Sequence, residues 1–148
     1  MKRTFFPLIV LSLVLTCCCC KTSKKSTKSG QLPLVGTQWN LTALEGKEIS
    51  KEFALRPFIT FDSAGSMQGN LGCNTFFGSY EIGNKGKIRI EYTGATKRLC
   101  QRMTVERLFI TALKKDINQY QITGNELTLL AGNEEIMRFE GVDLNAVE

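Results

Sequence analysis

Three of the four Gly-Asn pairs of this chain, Gly83-Asn84, Gly124-Asn125 and Gly132-Asn133, punctuate a sequence whose apolar segments are all short. Glycine, and less readily asparagine, supplies the positive φ that tight hairpin turns require. Linkers this short force neighbouring strands to run antiparallel, because parallel pairing needs a crossover of about a dozen residues. More than any other feature, this limits the chain to a meander of antiparallel strands.

The segments between the turns agree. Gln38 to Leu44 puts Trp39, Leu41 and Ala43 on one face. Residues 58–61 follow Pro57 and end at Asp62-Ser63-Ala64-Gly65, a turn sequence; residues 66–71 and 75–82 come next. Residues 87–92 alternate Ile88, Ile90 and Tyr92 with Lys87, Arg89 and Glu91, which predicts one buried and one wet face. Strands are also expected over 119–123, 126–131 and 135–141. One segment has a different period. Val105, Leu108, Phe109, Ala112 and Leu113 form a helical stripe. Lys114 and Lys115 are expected in its last turn and Asn118 as its terminator. The expected fold is mainly β with one helix: a small antiparallel lipocalin-like β-barrel, in the order five strands, helix, three strands. Full closure would remove exposed sheet edges.

The first thirty residues carry a different message. Lys2 and Arg3 precede an apolar run, Phe5 to Leu15, that ends at Thr16 and four cysteines, Cys17 to Cys20. The run is shorter than the ~20 residues a spanning helix needs, and a basic start, apolar run and cysteine describe a lipoprotein export signal. Residues 1–17 are read as a signal peptide. Cys18, with Leu15 three positions before it, is the expected lipidated residue, and Cys17 is the alternative. Four adjacent cysteines lack the spacing that wraps a zinc ion. Residues 18–30 have no apolar residue beyond the cysteines and read as a disordered tether, leaving 31–148 as one domain. The expected location is the bacterial envelope, held by lipid at the periplasmic face of the outer membrane.

The charge of +5 belongs to this leader. Six of the 19 basic residues precede residue 31, leaving 13 against 14 acidic residues in the domain. Nucleic acid is therefore not an expected partner. The chain has no histidine, which removes the histidine-based triads and zinc sites and the commonest general base. Asp62, Glu106 and Asp116 are expected to be solvated or to cap turns, and no P-loop spacing occurs. No catalytic residue, metal or cofactor is expected. Cys73 and Cys100 are the only cysteines of the domain. In an oxidising periplasm such a pair is expected to form a disulfide worth roughly 3–4 kcal/mol; buried free thiols or a redox-active pair are the alternatives. Asn74 is expected to cap a turn. Phe76 and Phe77 should face opposite sides of a strand, leaving one of them exposed.

From Val35 to Phe139 the chain resembles the META domain family, the HslJ-like lipoproteins of bacteria. The resemblance is carried by Trp39 and Leu41 in the opening strand and Phe61 to Gly65. It continues with Gly72-Cys73-Asn74 followed by Phe76, Phe77, Gly78 and Tyr80, then Thr96 with Cys100, Glu106 with Phe109 and Leu113, and Leu127 to Leu130 with Phe139. Lys97-Arg98-Leu99 departs from the small and apolar residues the family often carries there. The resemblance implies an exported lipoprotein with a lipocalin-like barrel and a link to stress responses, and it implies no catalytic residues. The function expected is a monomeric, membrane-anchored, non-enzymatic module that contacts an envelope protein in stress. Inhibition of a secreted lysozyme or protease, and carriage of a small apolar ligand, are the alternatives.

Overall fold

The computed structural model describes residues 30–50, 56–100 and 103–143. The expected signal peptide, the expected lipidation site at Cys18 or Cys17 and nearly all of the expected tether lie outside them. The elements are β1 (Thr37–Leu44), β2 (Lys47–Glu48), β3 (Phe58–Phe61), β4 (Ser66–Asn70), β5 (Thr75–Ile82), β6 (Ile88–Ala95), α1 (Thr104–Leu113), β7 (Gln119–Thr123), β8 (Glu126–Ala131) and β9 (Glu134–Asp143). The expected strands are all present. The two-residue β2, paired to the end of β1, makes the order six strands, helix, three strands.

All pairings are antiparallel, and the sheet runs β6-β5-β4-β3-β1-β9-β8-β7. Its two outer strands meet at a single bridge, Lys87 with Gln119, so the sheet curls into an open barrel without a closing ladder. The turns use the chemistry the sequence announces. Gly124 and Gly132 have φ of +61° and +62°. Asp62 accepts hydrogen bonds from the N–H groups of Ala64 and Ser66, each at 2.9 Å, which fixes the β3–β4 turn.

The concave side is filled. Trp39, Phe61, Phe76, Phe109 and Phe139 are fully buried with Leu41, Ile59, Met67, Leu127 and Leu129. Phe109 of α1 reaches into the barrel between Phe76, at 5.7 Å between ring centroids, and Phe139, at 6.1 Å. Burying each such ring contributes about 1.5–3 kcal/mol. Phe77, by contrast, is 52% exposed, as expected for the neighbour of a buried strand residue.

The helix differs from its expected form in two ways. Its buried face is Glu106, Phe109, Ala112 and Leu113, while Leu108 is 51% exposed. The stripe is therefore rotated to bring a carboxylate inward in place of a leucine. The helix also ends at Leu113, with Lys114 as its C-cap and Lys115 beyond it, paired to Glu45. Asn118 does not end the helix. Its side chain accepts the N–H of Gly132 instead, at 3.0 Å, and so ties the start of β7 to the β8–β9 turn.

Two ends of the barrel matter for function. At one, the incoming chain bonds Leu32 N–H to Gly124 O and Gly36 N–H to Phe61 O, beside the β3–β4 and β7–β8 turns. At the other, β4 turns into β5 at residues 71–74.

Gly78 shows how tightly the strands approach: a Cβ there would meet the carbonyl oxygen of Glu91 and the Cε of Met67. Gly78→Ala is expected to destabilise the domain by about 1–3 kcal/mol through overpacking. A urea midpoint equal to that of the parent, with unchanged slope, would contradict this.

Candidate functional site

The family-type residues separate into two groups at opposite ends of the barrel. Trp39 and Tyr80 serve the end where the chain enters. The Trp39 indole N–H donates to Leu34 O at 3.0 Å, and the Tyr80 hydroxyl donates to Asp62 O. Tyr80 also packs edge-on against Phe61, with centroids 4.9 Å apart. Both are structural. Gly72, Cys73, Asn74, Thr96, Cys100 and Glu106 gather at the other end, around the β4–β5 turn, the segment after β6 and the first turn of α1.

Asn74 is the centre of this second group and is 1% exposed. Its backbone N–H donates to Glu106 Oε2 at 3.0 Å, and its Nδ2 donates to Glu106 Oε1 at 2.7 Å. The same Nδ2 donates to Arg98 O at 3.2 Å. Its Oδ1 accepts from Thr96 Oγ1 at 2.8 Å and from Arg98 N–H at 2.7 Å. All four side-chain hydrogen-bonding positions of the amide are thus used. Asn74 is not the turn cap that was expected, and Glu106, 5% exposed, is not a solvated carboxylate. A buried acid is tolerable only when its oxygens are paired, and this one receives two donors from one residue. The local turn is capped by Asn70, whose Oδ1 accepts Gly72 N–H at 2.7 Å, with Gly72 at φ +106°. Of the three carboxylates, Asp62 caps a turn and Asp116 is exposed, as expected.

A disulfide joins Cys73 to Cys100 across 27 positions, with Cα atoms 6.3 Å apart. It fastens the same two segments that Asn74 bridges. The disulfide and the Asn74 amide therefore both hold residues 96–100 in place, and the Thr96 side chain, bonded to that amide, also accepts Thr75 N–H at 3.2 Å.

Between this segment, β6 and α1 lies a groove of about 450 Å³. Tyr92, Met103 and Ile110 give it an apolar floor, and Lys97, Arg98 and Lys114 stand at its margin. Lys114 Nζ sits 5.4 Å from the centre of the Tyr92 ring, within cation–π range. Burial, and secondarily the charge of Glu106, raises the Tyr92 phenol above the ordinary tyrosine value. Among the described residues no group of three or more His, Cys, Asp or Glu side chains is placed to hold a metal ion. The disulfide and the Asn74 bonds to Arg98 thus hold one wall of this groove.

Glu106→Gln exchanges an acceptor for an amide donor facing Asn74, so one buried donor loses its partner. The expected loss is about 1–3 kcal/mol of unfolding free energy, read in urea; a variant as stable as the parent would contradict the network's role. At alkaline pH, Tyr80 and Tyr92 act together. Both phenols are raised, Tyr80 by burial and then by Asp62. The folded state therefore holds these protons more tightly than the unfolded chain. Their contribution is complete below a pH of about 10, the unfolded value, and is lost as pH rises through the folded values. Stability should fall over that window, less steeply in a Tyr80→Phe, Tyr92→Phe double variant; equal slopes would refute it.

Comparison with known proteins matches this architecture. The META domain profile covers residues 32–143. A protein from Burkholderia xenovorans, solved by NMR, superposes with a TM-score of 0.58 at 23% identity, over 74% of this chain and 83% of that one. The crystal structure of a DUF4847 family protein from Bacteroides vulgatus ATCC 8482 gives 0.58 at 17% identity, over 72% and 93%. A further NMR structure gives 0.54 at 23% identity, over 71% and 88%. These likenesses concern the fold. No curated protein matches the chain significantly. With the profile spanning the barrel from its entering segment to β9, the chain belongs to the META domain family.

Proposed function

We propose that this META domain is a lipid-anchored, non-enzymatic protein-interaction module of the bacterial envelope, with its groove held away from the anchoring membrane. The observation that carries the reading is the position of the groove relative to the tether. The chain enters beside Gly124 and Phe61, at one end of the barrel. The groove lies at the opposite end, past the β4–β5 turn. An eight-residue strand such as β5 separates the two by about 25 Å.

Three further observations support the reading. The barrel interior is occupied by side chains, which favours a role for the surface over carriage of a ligand inside. Both oxygens of Glu106 are engaged by Asn74, which favours a structural over an acid–base role for the one buried carboxylate among the described residues. The export pattern before Cys18 supports a lipid anchor; the periplasmic face of the outer membrane and a monomeric domain are part of the proposal. Two acyl chains on one cysteine suffice for stable attachment. A role in envelope stress rests on the family resemblance alone.

Two experiments test this. A photo-crosslinking residue at Leu99, which is 97% exposed beside the groove, should capture a protein partner in the full-length protein in its own membrane. The same residue at Ser63, at the tether end, should not. Capture from Ser63 alone, or from neither, would overturn the reading. For the anchor, Cys18→Ser should remove both acyl chains and release the protein from membranes, while Cys17→Ser should leave it attached. Retention of acylation in Cys18→Ser would move the site to Cys17.

A further inference from the structure

We infer that the groove beside α1 receives an extended, acidic segment of a partner protein, laid along the free edge of β6. This rests on the interaction reading above and names the chemistry of the partner.

The backbone supplies the first argument. β6 is the last strand of the sheet path, and β5 pairs only one of its sides. On the other side the Lys87–Gln119 bridge and the bond from Ile88 N–H to Asn118 O are made at its very start. In an antiparallel strand alternate residues direct both backbone groups to the same side. The outward direction of Ile88 N–H therefore places the backbone groups of Ile90 and Tyr92 on the unpaired side. No further ladder partner occurs there among the described residues. α1 runs beside this edge but, as a helix, offers it no ladder, and the space between them is the groove. An open strand edge next to a groove is the geometry by which extended peptides add to a sheet.

The charges supply the second. Lys97, Arg98 and Lys114 line the groove and are exposed. Among the described residues none of the three is in an ion pair. The one carboxylate in the lining, Glu106, already has both oxygens bonded to Asn74. The lining thus carries three cations against one buried carboxylate, an excess of two positive charges, which favours an anionic occupant. Its apolar floor of Tyr92, Met103 and Ile110 suits the alternate, inward side chains of a strand whose other face carries acids. Anionic lipid head groups carry the same charge, but the groove lies at the end of the barrel away from the tether, so the occupant is a protein segment.

The test uses the folded chain, a short alternating glutamate–valine peptide, its lysine–valine counterpart, and phosphatidylglycerol vesicles. The acidic peptide should bind and shift the amide resonances of residues 90–95, more weakly as salt rises. The combined Lys97→Glu, Arg98→Glu, Lys114→Glu variant should bind it at least ~10-fold more weakly, summing modest exposed charge contacts. Equal binding of the lysine–valine peptide, insensitivity to both salt and charge reversal, or binding to vesicles alone would each overturn the inference. The salt series applies to the unaltered protein, so it decides even if the variant fails to fold. Capture at Leu99 of a partner segment that is neutral or basic would refute the acidic occupant and leave the interaction reading standing. Peptide binding without capture at Leu99 would do the reverse.

Discussion

The paired hydrogen bonds from Asn74 to Glu106 hold the groove end of this barrel together. The two residues are 32 positions apart, one in a tight turn and the other in a helix, and each is buried. Neither is tolerable inside without the other. An unpaired carboxylate would carry a large desolvation penalty, and an asparagine with orphan donors would cost about 1–3 kcal/mol. That mutual need sets the rotation of α1, and the rotation places Phe109 between Phe76 and Phe139. The second side of the Asn74 amide is spent on Thr96 and Arg98, so the same residue also fixes the segment that borders the groove. Helix docking, core filling and groove shape are therefore linked through one side chain.

The disulfide and the hydrogen-bond network are partly redundant in what they hold, but not in how. The disulfide shortens the conformational freedom of the unfolded chain, an effect independent of solvent. The network acts only in the folded state, where water is excluded from its donors and acceptors. A surface held by both stays in one shape through fluctuations that would disturb either alone. Rigid presentation lowers the entropy lost when a partner docks, which is where a contact surface gains most from being pre-formed.

Much of the fold was legible because its signals are local. The Gly-Asn turns lie where β7, β8 and β9 are joined, and the alternation of residues 87–92 continues as the inward and outward faces of β6. The opposite fates of Phe76 and Phe77 follow from the pleat of a single strand. What local reasoning misjudged depended on distant partners. The apolar stripe of α1 was read through Leu108, yet Glu106 fits the same buried face with Phe109 and Leu113. Periodicity cannot choose between those rotations; Asn74 does. The two-residue β2 is too short to leave a pattern, and Lys115 is placed by Glu45 on the far side of the chain. The second group of family-type residues was visible as a set, but its meeting at one end of the barrel was not.

The seam at Lys87 and Gln119 has a consequence for motion. Along the main path of the sheet every other junction is a ladder of at least three residue pairs, so separating it would rupture several bonds at once. At the seam, parting the outer strands requires breaking only a few, chiefly those of Ile88 with Asn118 and Tyr120 with Gly86. Local opening draws on the least-bonded regions first, so hydrogen exchange should show β6 and β7 parting as a unit well before the β1–β9 pair yields. Because Asn74 holds the first turn of α1 and the disulfide pins the segment ahead of it, such opening is confined to the seam, and the groove keeps its shape while the strands part.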